Sequence, residues 1–302
     1  RVAFNLGLSG NGFKEMVRFV TALFKAYVQS DSSLFEINPV LKTSDNKVLF
    51  LRSFLLLASF LFIPVLFFIQ PPSPSSYIFL AASLFIHIFY NIFLIKMYSY
   101  SEISFSYPIA RGSPTLILLV ISPLLLGDEI SYLNNIGALI LICGIFFLIF
   151  SEGNYKKINF KGLGLSLMVA TTIVVYTLVD AKGARLSESA ISYGIYMFAI
   201  EGITFNIAYI IFFKDKKIPF QFILKEKYKI LLASILVTFA YLPILYAFTK
   251  VNVPSVAALR EISILFTSIY GVYFLKEKFG LIKVISAALV VVGCIIIRIA
   301  AG

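Results

Sequence analysis

SYPIARGSPTLILLVISPLLLGDEIS, residues 106–131, is the stretch from which the fold is read. Its apolar run over 107–126, wound as a helix rising about 1.5 Å per residue, spans about 30 Å, the thickness of a bilayer's hydrocarbon core. The stretch is repeated further along the chain. A shift of 149 residues lays 91–149 on 240–298 without a gap, and it carries Ser106 onto Ser255, Arg111 onto Arg260, Asp128 onto Glu277, Ala138 onto Ala287 and Gly144 onto Gly293. Working outward from it, nine apolar runs are long enough to cross: 50–69, 77–96, 107–126, 132–151, 161–180, 190–213, 229–249, 255–275 and 279–299. Punctuation separates them: Pro71, Pro72 and Pro74, then Gly127 with Asp128, then Gly153, then Pro254. A repeat unit of five helices is odd in number, so its second copy enters the membrane from the opposite side, giving an inverted repeat.

Composition agrees with lipid as the solvent. Hydrophobic residues make up 60% of the chain and charged ones 14%, with mean hydropathy +0.94, too few polar side chains to cover a water-soluble surface. The net charge of +11 comes from Lys placed between apolar runs rather than on one basic face, which excludes nucleic acid as a partner and fits membrane loops. Trp is absent, so Tyr77, Tyr98, Tyr132, Tyr155 and Tyr228, near expected helix ends, supply the interfacial aromatics. Cys143 and Cys294 sit in apolar helices with no metal-ligand spacing and read as packing residues. No basic segment followed by a short apolar core stands before the first run, so no secretory leader is expected.

The first 49 residues read differently. By the shift, a partner for the run at 161–180 belongs near 12–31, where NGFKEMVRFVTALFKAYVQSD (11–31) places Lys14, Glu15, Arg18 and Lys25 at bilayer depth, each costing several kcal/mol. Phe13, Met16, Val17, Val20, Phe24, Tyr27 and Val28 instead recur near a 3.6 period, describing a soluble helix with one apolar face, or one lying on the membrane surface. Leu34–Asn38 and Lys47–Phe50 flank a polar turn at Ser44, Asp45 and Asn46 and predict a β-hairpin.

Residues 106–131 with NIGALILICGIFFLIF (135–150), and VPSVAALREISILFTSIYGVYFLKEKFG (253–280) with ISAALVVVGCIIIRI (285–299), resemble the two halves of the EamA family of the drug/metabolite transporter superfamily. The resemblance covers residues 50–302. It implies, in each half, a helix ending in a short acidic turn and then a helix rich in small residues with a late Gly. Those roles fall here to Asp128 and Glu129 with Gly137 and Gly144, and to Glu277 with Gly293. The family has ten helices; nine are expected here, arranged 4+5 with the opening helix of the first half missing.

Residues 1–49 resemble another family, the nucleotide-binding beta subunit of succinyl-CoA ligase, through VAFNLGLSGNGFKEMVRFVTALFKAYVQSDSSLFEINPVLKTSDNKV (2–48). The resemblance implies that Glu36–Pro39 belong to an ATP-grasp fold whose Asn, Asn38 here, helps hold magnesium beside an Asp on the strand after the hairpin. After Val48 come Leu49, Phe50, Leu51 and Arg52, so that Asp has no counterpart. One amide does not make a magnesium site. The piece is expected to be a joined fragment with no metal, no cofactor and no enzymatic activity.

Ionisable groups inside a membrane run are costly, so each is a site candidate. His87 and Asn91, four apart, share a helix face and suit a ligand, or alternatively a polar clamp between helices. Arg111 and Arg260, at the starts of equivalent helices, suit an anionic group in a central cavity; the alternative is snorkelling to the headgroups. Glu261 points about 100° away from Arg260 around the helix. Glu201, near Gly202 and Asn206, suits a proton relay or a neutral buried acid. Tyr241, before Pro243, and Thr171, Thr172 and Tyr176 suit either cavity lining or packing. GxxxxGK[ST], GxSxG with partners and HExxH are all absent, so neither ATP-driven transport nor hydrolysis is expected.

The side carrying 151–161, 214–229 and 276–283 is the richer in Lys and Arg, which places it in the cytoplasm and Gly302 outside; the family resemblance implies the reverse. The expected protein is an all-α, multi-pass protein of the cell membrane, a bacterial inner membrane, carrying a small amino-acid or organic-acid type metabolite by alternating access. Its partners are the lipid bilayer and that substrate, with a homodimer admitted. The competing readings are a vestigial ligase fragment on a membrane anchor and a nonfunctional fusion product.

Overall fold

A computed structural model describes residues 44–100, 103–151, 160–213, 220–260 and 281–300. Among the described residues the chain is helical, with no strand: α1 (Ser44–Phe62), α2 (Tyr77–Tyr100), α3 (Ile103–Leu126), α4 (Tyr132–Ser151), α5 (Phe160–Leu186), α6 (Ala190–Phe213), α7 (Phe220–Lys225), α8 (Lys227–Phe248), α9 (Val253–Arg260) and α10 (Leu281–Ala300). Among the described residues, six segments are long and apolar enough to cross a bilayer: Val48–Phe67, Pro74–Tyr100, Ile109–Leu126, Phe160–Leu186, Ala190–Phe213 and Lys227–Phe248. Large apolar side chains such as Phe60, Ile78, Leu124, Phe212 and Ile299 point outward, while Arg52, Ser83, His87, Thr177 and Asp180 are buried. That is the reverse of a water-soluble surface, and the chain is a multi-pass membrane protein.

Several expectations change. The β-hairpin does not form at 44–50: Ser44, Asp45, Asn46 and the expected second strand Lys47–Phe50 are the first two turns of α1. Ser, Asp and Asn are good helix starters, and once the apolar run behind them is helical each added residue gains a backbone bond. The first strand, the soluble-type helix at 11–31 and Asn38 lie outside the described residues. The run at 50–69 starts earlier and its α-helix ends at Phe62, where Pro64 opens a 3₁₀ turn, Pro64–Phe67. The run at 161–180 continues to Leu186. The runs at 132–151 and 279–299 are helical as α4 and α10, whereas 255–275 is described only as far as Arg260. Cys143 is exposed on α4 rather than packed.

Among the described residues, two closely packed helix pairs join elements related by the shift of 149. In α1 and α6, the Ser59 hydroxyl donates to the Phe198 carbonyl at 2.9 Å, and the Gly202 N–H donates to Ser59 Oγ at 2.9 Å. Arg52 Nε donates to Asn206 Oδ1 at 3.1 Å, and Asn206 Nδ2 donates back to the Arg52 carbonyl at 3.1 Å. Residue numbers rise along one helix as they fall along the other, so the two run antiparallel. α4 and α10, the most extensively packed pair, do the same. A Cβ on Gly137 would stand 2.9 Å from the Gly293 carbonyl oxygen and 2.8 Å from Ile297, and one on Gly293 would stand 2.7 Å from both the Gly137 oxygen and Leu141. Glycine at both positions lets the backbones touch.

One end of the bundle is tied by polar contacts between loops. Gly127, in the left-handed conformation with φ 67°, closes α3. Asp128 then bonds Arg185 Nη2 through Oδ1 at 2.7 Å and accepts from the Val253 N–H through Oδ2 at 2.9 Å, while Arg185 Nε donates to the Phe248 carbonyl at 2.8 Å. Ser131 and Asn134 cap α4 reciprocally, and Asn134 Nδ2 donates to Ser255 Oγ at 2.8 Å. The Ser73 N–H donates to the Ser187 carbonyl at 3.1 Å, and Ser192 Oγ donates to the Gln70 carbonyl.

Candidate functional site

The apolar face of each helix is spent on lipid and neighbours, so the polar residues inside the spans collect where the helices leave room. α1, α2, α3, α5, α6, α8 and α9 all contribute to one internal cavity of about 40 Å³. His87, Asn91, Arg111, Glu201, Tyr241 and Arg260 line it together with Tyr90, Tyr176, Met197 and Phe198. All six residues nominated from the sequence therefore share one wall-to-wall space. Arg111 and Glu201 are buried there rather than extended to the headgroups.

The local geometry explains each position. His87 Nδ1 lies 2.9 Å from the Ser83 carbonyl and 3.2 Å from Ser83 Oγ, which fixes the ring. Asn91 Nδ2 donates to the His87 carbonyl at 2.9 Å, so the four-residue spacing orders the pair along α2. The His87 ring stacks on Tyr176 with centroids 4.5 Å apart, and Tyr90 meets Tyr176 edge-on at 5.4 Å. Phe198 and Tyr241 form a second edge-on pair at 6.1 Å. The Arg260 guanidinium lies 5.7 Å from the centre of the Tyr241 ring. The cavity thus combines guanidinium donors, a carboxylate and aromatic faces, a set able to hold a ligand with both an anionic group and a cationic or apolar part.

Other readings sort themselves out. Tyr176 joins the cavity, whereas Thr171 faces outward and bonds the Leu167 carbonyl of its own helix at 2.9 Å. Thr172 likewise bonds the Val169 carbonyl at 2.7 Å. Asn206 belongs to the α1–α6 crossing. Glu261 and Glu277 lie outside the described residues. Asp128, expected only to stop a helix, joins three elements through Arg185 and Val253.

Sequence reasoning passed over Asp180, which is fully buried on α5. Its Oδ2 accepts from Tyr241 Oη at 2.6 Å and its Oδ1 from Tyr193 Oη at 3.2 Å. It also passed over Arg52, fully buried with its guanidinium 4.4 Å from the centre of the Tyr209 ring. The available signal for Arg52 was a cation within the first apolar run; for Asp180 it was the small residues Ala181, Gly183 and Ala184 that follow.

Comparison with known proteins finds separate matches for two parts of the chain. The EamA-like transporter family matches residues 160–299. A 49-residue N-terminal segment is 76% identical to the succinate–CoA ligase [ADP-forming] subunit beta of Flavobacterium johnsoniae and 69% identical to that of Flavobacterium psychrophilum, covering 16% of this chain. The chain spans 12% of the length of those subunits. One solved crystal structure superposes with a TM-score of 0.69 over 92% of this chain and 94% of its own, at 14% identity, a likeness of fold alone. The second half of this multi-pass membrane protein, residues 160–299, is thus similar to the EamA-like transporter family, and its N-terminal segment is similar to a short piece of succinate–CoA ligase subunit beta.

Proposed function

We propose that the chain is a secondary carrier, not an enzyme, moving a small metabolite of amino-acid or organic-acid type by alternating access through nine membrane helices in two inverted repeats of four and five. Residues 50–151 are the first, truncated repeat and 160–300 the second; residues 1–49 are a joined ligase fragment without activity, and the membrane is a bacterial inner membrane. The observation that carries the proposal is the convergence of His87, Asn91, Arg111, Glu201, Tyr241 and Arg260, from five helices, on one cavity. Arg111 and Arg260, one from each repeat, hold a carboxylate, because the guanidinium fork matches its two oxygens. Glu201 and the aromatic faces take the opposite pole of the substrate. At about 40 Å³ the cavity holds no more than a few waters, so on this reading the substrate enters as the helices part.

The test is uptake into proteoliposomes of the full chain, with a radiolabelled amino-acid mixture or succinate, with and without a pH gradient. Saturable uptake is expected, falling about tenfold or more in Arg111→Gln and Arg260→Gln, the worth of one lost charge-assisted hydrogen bond. No movement of either probe by folded wild-type protein would sink the proposal.

A further inference from the structure

Asp180 does not line the cavity, yet it holds a residue that does. Its two oxygens are divided between helices: Oδ2 receives the hydroxyl of Tyr241 on α8 at 2.6 Å, and Oδ1 receives that of Tyr193 on α6 at 3.2 Å. The site is built for these contacts. A Cβ on Gly183, one turn along α5 from Asp180, would stand 2.6 Å from Tyr193 Oη, so only glycine lets that phenol lie against the helix. On the far side, the Tyr241 ring meets Phe198 edge-on and lies beneath the Arg260 guanidinium. Pro243, two residues on, removes one backbone hydrogen bond from α8 close to this tie.

Resting on the carrier reading above, we infer that Asp180 is a positioning residue for the substrate cavity: through the Tyr241 hydroxyl it fixes the aromatic platform under Arg260 and so sets how tightly an anionic substrate is held. A phenol bonded to a buried carboxylate is held in one rotamer. Freed, the ring turns about χ1 and χ2, and the guanidinium loses its support.

The test uses the full chain with 3-fluorotyrosine placed at position 241 alone. Asp180→Ala shifts the ¹⁹F resonance of that ring, and Asp180→Asn, which keeps one acceptor oxygen, gives a smaller shift. In proteoliposomes, whichever radiolabelled probe the wild type takes up shows a half-saturating concentration raised about tenfold in Asp180→Ala, with a maximal rate within about twofold of wild type. A purely structural role lowers the number of folded carriers, and with it the maximal rate, leaving half-saturation fixed; that result overturns the inference. So does a ¹⁹F resonance that neither variant moves. Wild-type uptake with unchanged half-saturation in Asp180→Ala removes the inference alone, whereas no wild-type uptake of any probe removes the carrier reading and the inference with it.

Discussion

A methyl group added at Gly202 would fall on the carbonyl oxygen of Leu55, because α1 and α6 touch there backbone to backbone. Nothing stands within 4 Å of the corresponding position on Gly164, on the exposed side of α5. The same chemical change therefore has opposite signs at the two sites. Gly202→Ala is expected to lower stability by about 1–3 kcal/mol through forced separation of the helices, and Gly164→Ala to raise it by up to about 1 kcal/mol through helix propensity. Thermal denaturation of the detergent-solubilised protein reads both; equal effects would mean that the helices do not cross at Gly202. At this scale the sequence revealed residues whose type is costly in lipid, which is why His87, Arg111, Glu201 and Arg260 stood out. Asp180 did not, because it ends the apolar run at 161–180 and is followed by Lys182 and Arg185, a pattern shared with helix ends at the headgroups. Only the two phenols that reach it from α6 and α8 distinguish a buried acid from an interfacial one, and such long-range contacts leave no local mark.

Elements were legible to within a turn or two where apolar runs met Pro or Gly, and less so where a polar segment adjoined a run. The first turns of α1 and the last of α5 are polar sequence drawn into helix by the apolar residues beside them. The end of α5 is held there by Arg185, whose guanidinium bridges the Asp128 carboxylate and the last carbonyl of α8 while the same carboxylate receives the first N–H of α9. Three helix ends thus depend on one half-buried ion pair, and the partial charge at the start of α9 adds to it. Arg185→Ala and Asp128→Ala should each cost about 2 kcal/mol, with the double variant costing less than their sum. A double-mutant cycle on thermal unfolding gives the coupling directly, and additivity would show the pair to be an incidental surface contact.

For the whole molecule, the antiparallel pairing of α1 with α6 and of α4 with α10 is what an axis in the membrane plane produces when it exchanges two copies of one unit. The 149-residue shift says which segments are alike in sequence and not which ones meet. The consequence is testable without a substrate. The loops at 63–76, 127–131 and 249–252 share one end of the bundle, tied by the Asp128 network, while Lys225, Lys227 and Lys229 lie across the membrane at the start of α8. The retention of cationic loops in the cytoplasm predicts that the Lys-rich end faces it. With Cys143 and Cys294 replaced by Ala, Ser131→Cys is expected to react with a membrane-impermeant maleimide in intact cells, and Lys225→Cys only after permeabilisation. The reverse pattern would turn the protein over and favour the orientation implied by family resemblance. Labelling of both from the same side would require an even number of crossings between them, which the three helices that separate them, α4, α5 and α6, do not allow, and the inverted arrangement would fall.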